Sequence, residues 1–112
     1  LVGITDISPT CHMPDVIEAP YRPAMLGEDG DVRVRLGGAS CLSGDIIGDY
    51  NFATAPKSGQ RIAFLDQAHY TMVKTTTFNG AHLPGLAIWN SETDALRIIK
   101  EFDYEDFEGR LS

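Results

Sequence analysis

Val32-Arg33-Val34-Arg35-Leu36-Gly37-Gly38-Ala39-Ser40-Cys41-Leu42-Ser43-Gly44-Asp45-Ile46-Ile47-Gly48-Asp49-Tyr50 is the stretch that decides how the rest of the chain is read. Val32 to Leu36 alternates apolar and charged residues with period two, the pattern of a half-buried strand whose arginines face solvent. It delivers the chain into Gly37–Tyr50, read as a loop that holds four glycines, a thiol, two carboxylates and a phenol. Glycine serves where backbone turns sharply or lies close to another group, and a side chain carried on such a loop is exposed. Cys41 is therefore the first residue to question.

Working outward, strand-like sequence recurs on both sides. Leu1 to Ser8 is an apolar, β-branched run, and its position at the start of the sequence, with no initiator methionine, suggests a fragment of a longer protein. Pro9 and Pro14 bracket Thr10 to Met13, and residues 14–19 have room for only a short helical turn before Pro20 and Pro23. Glu18 and Arg22 are spaced to pair on such a turn. Arg61 to Asp66 begins a strand. Ala68 to Phe78, with four threonines, a valine and aromatics, is read as the longest strand, because branched and aromatic side chains suit a pleated surface. Asn79-Gly80 is a turn signal, and Leu86–Trp89 and Ala95–Lys100 are two further strands joined by a hairpin connection over Asn90–Asp94. The tail from Phe102 to Ser112 is acidic and aromatic, with its carboxylates solvated. Six or seven short strands separated by glycine and proline turns predict one all-β domain over residues 1–112, a sandwich or barrel.

Composition bounds the function. A chain of 112 residues fits one domain, and a formal net charge of -7 argues against a phosphate-backbone partner, so nucleic acid is not expected. The two cysteines are too few for a disulfide scaffold and lack metal-ligand spacing, which points to a reduced, cytoplasmic setting without a metal. No run of about 18 apolar residues is present, so no membrane span is expected.

The residues alone leave the chemistry open. Cys41 can serve as nucleophile, proton donor or packed thiol; nearby Asp45 and Asp49 oppose thiolate formation and so favour the donor. His12 and His69 show no spacing for a metal site or a Cys-His pair. Lys74 is read as a solvent-facing strand residue.

Three strings in order carry more. Cys11-His12-Met13-Pro14-Asp15-Val16-Ile17-Glu18, then Cys41-Leu42-Ser43-Gly44-Asp45-Ile46-Ile47-Gly48-Asp49-Tyr50, then Ala68-His69-Tyr70-Thr71 through Thr77-Phe78-Asn79-Gly80, resemble the carboxy-terminal β-domain of alanine-racemase-fold decarboxylases that use pyridoxal 5'-phosphate. The resemblance runs over nearly the whole chain and is most specific to the carboxynorspermidine/carboxyspermidine decarboxylases of polyamine biosynthesis. It implies an amino-terminal β/α barrel, outside these residues, that carries the cofactor's lysine, and a homodimer whose active site forms at the interface. It implies that an isolated β-domain is inactive. By the same resemblance Cys41 matches a cysteine that helps protonate the intermediate after carbon dioxide leaves, and Tyr70 matches a tyrosine that reaches the cofactor phosphate. Ornithine and diaminopimelate decarboxylases have an acidic residue after the cysteine, where this chain has Leu42. The distal amine is therefore assigned to Asp45 and Glu18, the latter standing where diaminopimelate decarboxylases place an arginine for a substrate carboxylate. A diaminopimelate, arginine or ornithine decarboxylase, and a stand-alone β-domain binding module, are the alternatives.

Overall fold

The apolar face of the strand at Val32 organises the observed architecture. In the computed structural model, which describes residues 1–111, β2 (Val32–Gly37) is the centre of a three-stranded sheet. β1 (Val2–Ile4) runs parallel to it and β3 (Ile46–Phe52) antiparallel. A parallel neighbour needs a crossover, and the chain supplies one with two short helices, α1 (Pro9–His12) and α2 (Pro14–Glu18), each opened by a proline at a first-turn position where the missing N–H costs nothing. The helical turn expected near residues 14–19 is present, and α1 precedes it.

Val34 and Leu36 point into the core with Met13, Val16, Met25, Ile47, Tyr50 and Phe52, while Arg33 and Arg35 face solvent and both bind Asp49 of β3. On the register of β3 the residues Phe52, Tyr50 and Gly48 oppose Val32, Val34 and Leu36; Ile46, not Ile47, then faces Gly37. One extra residue on β3 breaks the period of two, which is why Ile47 and Tyr50 are both buried though three positions apart. The segment from Ile46 to Tyr50, read from sequence as loop, is thus entirely strand, and the loop proper is Gly38–Asp45. Gly48 and the break in alternation hid a strand whose buried residues are Ile47, Tyr50 and Phe52.

Tyr50 is packed on two sides, by the Phe64 ring edge-on at 5.5 Å and by the Arg22 guanidinium 4.0 Å from its centroid. Its hydroxyl donates to the Pro23 carbonyl at 2.6 Å, and burial, against the pull of Arg22, pushes the phenol up to about 12. Arg22 binds Glu28, not Glu18 as its spacing suggested, because α2 ends at Glu18 before another turn can align the two.

A second, two-stranded sheet pairs β4 (Leu86–Asn90) with β5 (Ala95–Lys100), as expected. Asn90 Oδ1 accepts the N–H groups of Glu92 and Thr93 and so shapes the connection. The hairpin's apolar side chains, including Trp89, Leu96 and Ile98, are exposed.

Two expected strands do not form. Ala68–Phe78 instead makes α3 (Tyr70–Val73) and a 3-10 turn at Phe78–Gly80. Strand preference is a preference for packing on a pleated surface, and this segment meets no strand: Thr76 N–H goes to the Cys11 carbonyl of α1, and Thr71 turns inward toward α2. Arg61–Asp66 contributes a single bridge, Met25 to Phe64. The acidic, aromatic tail forms α4 (Tyr104–Leu111), with Asp103 accepting the Glu105 N–H at its start; Ser112 lies outside the described residues. The fold is mostly strand with short helices, in two separate sheets with no closed barrel among the described residues.

Replacing Tyr50 by Phe leaves the buried Pro23 carbonyl without its donor. The expected loss of unfolding free energy is about 1–3 kcal/mol, seen as a lower urea midpoint with an unchanged slope.

Candidate functional site

The loop between β2 and β3 is held from below by one carboxylate. Gly38 N–H closes the loop on the Asp45 carbonyl at 2.9 Å, and the Asp45 side chain turns inward, 5 % exposed. It accepts from Ser8 Oγ at 2.8 Å, Thr10 N–H at 2.9 Å, Thr10 Oγ1 at 2.8 Å and Ser40 N–H at 3.0 Å. Burial opposes its ionisation, but the bonds from Thr10, Ser8 and Ser40 outweigh that and hold the carboxyl below its ordinary range. Gly38 is required by this arrangement, since a Cβ there would strike the carboxylate and come within 2.6 Å of Ser8 Cα.

The Asp45 carboxylate is therefore engaged within the chain. A carboxylate offers about four acceptor positions, and all are taken by groups of α1 and of the loop itself. Asp45, expected from sequence at the polyamine end, serves here as a structural anchor, a role that sequence spacing does not reveal because two of its three donor residues, Ser8 and Thr10, lie more than thirty residues away. Asp49 is likewise committed: Arg35 and then Arg33 hold it down at about 2. The two carboxylates thought to flank the thiol are both engaged elsewhere. Cys41 itself is a free, exposed thiol on the loop, beside the exposed Leu42, Ser43 and Gly44.

A second group of expected residues meets on the helices. Glu18, the last residue of α2, is exposed and is paired with Lys74, which caps the C-terminus of α3. Tyr70 opens α3, its phenol exposed, and Lys74 N–H returns to the Tyr70 carbonyl at 3.0 Å. α2 and α3 are tied together by Asp15, which accepts from Tyr21 Oη at 2.6 Å and Thr71 Oγ1 at 2.9 Å. Burial resists the Asp15 charge, yet these two hydroxyls carry its carboxyl below the usual value. Lys74 is held above its ordinary value, chiefly by its bond to Glu18. Among the described residues no hydrogen bond or ion pair joins Cys41 to Tyr70 or Glu18, so a single chain presents two separate clusters.

His12 has a role that sequence reasoning missed. Ser8 N–H donates to its Nδ1 at 3.0 Å, so Nδ1 carries no proton, and Nε2–H donates to the His82 carbonyl at 2.7 Å. Buried between two backbone groups, it ties α1 to the segment after the 3-10 turn. Cys11, fully buried, reinforces the tie through the Phe78 carbonyl at 3.3 Å from its Sγ. The prolines flanking this string were the available signal that it builds a rigid corner. A cavity of about 310 Å³ lies beside that corner, bounded by Ser8, His12, Ser40, Phe78 and His82. A larger hollow of about 840 Å³ lies between β1 and residues 56–62 and touches none of the expected site residues. Among the described residues no group of three or more His, Cys, Asp or Glu could hold a metal, and no helix is long and apolar enough to cross a membrane.

Fold and sequence together define a class first: the chain is similar, over nearly its whole length, to one part of a decarboxylase. The carboxynorspermidine/carboxyspermidine decarboxylase of Campylobacter jejuni is 38% identical over 95% of this chain and 31% of its own length, and that of Herminiimonas arsenicoxydans is 33% identical over 99% of this chain and 30% of its own. A carboxyaminopropylagmatine decarboxylase of Synechocystis sp. is 47% identical over 97% of this chain and 29% of its own. The crystal structure of carboxynorspermidine decarboxylase from Campylobacter jejuni, complexed with norspermidine, superposes with a TM-score of 0.89 at 39% identity, covering 97% of this chain and 34% of that one. No protein-family model matches. The chain spans about three tenths of the length of the curated relatives it matches.

The depressed carboxyl of Asp45 sets the sign of a pH effect. Its contribution to stability is complete above the ordinary carboxylate range and is lost as pH falls through its lower folded value. Asp45→Asn, which puts an amide donor against N–H donors, is expected to cost about 2–3 kcal/mol at neutral pH. Denaturant titrations should show that gap narrowing below about pH 4.

Proposed function

We propose that the chain is the carboxy-terminal β-domain of a cytoplasmic, homodimeric, pyridoxal-phosphate-dependent decarboxylase that converts carboxynorspermidine or carboxyspermidine to norspermidine or spermidine. The observation that carries this reading is the match of nearly the whole chain, in sequence and in fold, to part of carboxynorspermidine/carboxyspermidine decarboxylases. The two separate clusters on one chain support a composite site, in which Cys41 of one subunit meets Tyr70 and Glu18 of the other.

The residues suit a partial cofactor cradle. Tyr70 offers an exposed phenol whose hydroxyl has no hydrogen-bond partner among the described residues, suited to a phosphate oxygen. Lys74 is occupied by Glu18, while Lys57 sits in an exposed turn and Lys100 on the hairpin, so the lysine that holds the cofactor belongs outside these residues. Bound pyridoxal phosphate supplies the electron sink that lets a carboxylate leave as carbon dioxide. The bond from the α-carbon to the carboxylate breaks, its electron pair stays on the substrate side, and Cys41 Sγ–H delivers the proton that replaces it. The thiol regains its proton from solvent. A thiol on a well-anchored but exposed loop can enter a partner's site, and the Asp45 anchor keeps its approach reproducible. Glu18 receives the cationic end of the substrate, a task for which apolar Leu42 is unsuited.

A second substrate is favoured by the Synechocystis relative, whose name specifies carboxyaminopropylagmatine. Its far end is a guanidinium, again a cation for Glu18, so the chemistry at Cys41 is unchanged.

Carbon dioxide release by the full-length protein from carboxynorspermidine, carboxyspermidine and carboxyaminopropylagmatine decides the substrate. Turnover of at least one is expected, with pyridoxal absorbance in the purified enzyme; release from none of them would overturn the reading. Cys41→Ala is expected to lower kcat about 10²-fold with little change in KM, and Glu18→Ala to raise KM about tenfold.

A further inference from the structure

We propose that Lys74 is a built-in competitor for the substrate's cationic end, occupying Glu18 until a polyamine displaces it. This rests on the polyamine reading of Glu18 given above.

The geometry supplies the argument. Lys74 Nζ lies on Glu18 Oε2 across the junction of α2 and α3, with the lysine and glutamate side chains 41% and 55% exposed. The lysine side chain is a butylammonium, the same group that ends the aminobutyl arm of spermidine, so the carboxylate already holds a mimic of the ligand proposed for it. Exposed pairs of this kind are weak and exchange freely with other cations. Lys74 is also one turn beyond Tyr70 on α3, which puts the competitor next to the residue assigned to the cofactor phosphate.

The surrounding charges leave the exchange to these two groups. Asp15, the other acid on α2, is committed to the Tyr21 and Thr71 hydroxyls. Of the two acids, Glu18 is the one whose partner can leave without uncovering a buried group. A ligand that ends in a cation replaces the ammonium of Lys74 with its own and loses little; a ligand with a neutral end leaves the pair closed. Lys74 thus competes with ligands that end in a cation, and keeps Glu18 neutralised against those that do not. The penalty for a cationic ligand is the reciprocal of the fraction of time that Glu18 is free, about two- to fivefold for an exposed pair.

The test uses the full-length enzyme with Lys74→Gln and Lys74→Met, two variants so that a packing defect peculiar to one does not decide the result, and Lys74→Arg as the charge-retaining control. Norspermidine binding by calorimetry and KM for carboxynorspermidine are measured together. Both removals are expected to lower Kd and KM two- to fivefold, Lys74→Arg to restore the wild-type values, and Glu18→Gln to abolish the effect of removing Lys74. An unchanged or weaker affinity in both removals overturns the role of Lys74 while wild-type turnover stands. Absence of both binding and turnover in the wild type overturns the polyamine reading itself.

Discussion

The structure around the thiol depends on one buried carboxylate. Asp45 collects hydrogen bonds from Ser8, Thr10 and Ser40, and in doing so fastens the β2–β3 loop to the first turn of α1. A charge removed from water must be compensated by close donors, and here the compensation comes from two backbone N–H groups and two hydroxyls in segments far apart in sequence. Gly38 and Ser8 then have to lie in contact, and the loop has one way to leave β2 and enter β3. Cys41 is free at its surface because Asp45 is fixed beneath it.

α1 and α2 extend that constraint to the other side of the molecule. His12 and Cys11 receive the segment around Phe78 and His82, and Asp15 receives α3 through Thr71. The residues that do this holding are buried or half-buried and have their polar atoms satisfied. Cys41, Tyr70 and Glu18, to which chemistry is assigned, are exposed on the frame so built. That division suits a domain that lends groups to a site completed by other chain, since the lent groups need fixed backbone and open side chains.

The hairpin shows the same division from the apolar side. Ile88, Trp89, Leu96, Ile98 and Ile99 are exposed, and two strands without a covering layer are only marginally stable. These side chains mark surface for which the 111 described residues supply little cover.

Alternation made β2 legible, and the turn residues around Asn90 made the β4–β5 hairpin legible, because both signals act between residues close in sequence. The helical turn at Pro14 was legible for the same reason, and three ordered strings sufficed to indicate the decarboxylase relatives. The sequence by itself determined where short-range pattern and backbone stereochemistry act. Whether Ala68–Phe78 became strand or helix depended on whether a strand lay beside it, and it met α1 and α2 instead. Whether Asp45 or Glu18 kept an exposed carboxylate depended on which donors folding brought to each: four on the buried Asp45, one exposed lysine on Glu18. Hydrogen-bond partners of buried groups are set by long-range packing, so only the tertiary structure could turn two equivalent acids of the sequence into an anchor and a candidate binding residue.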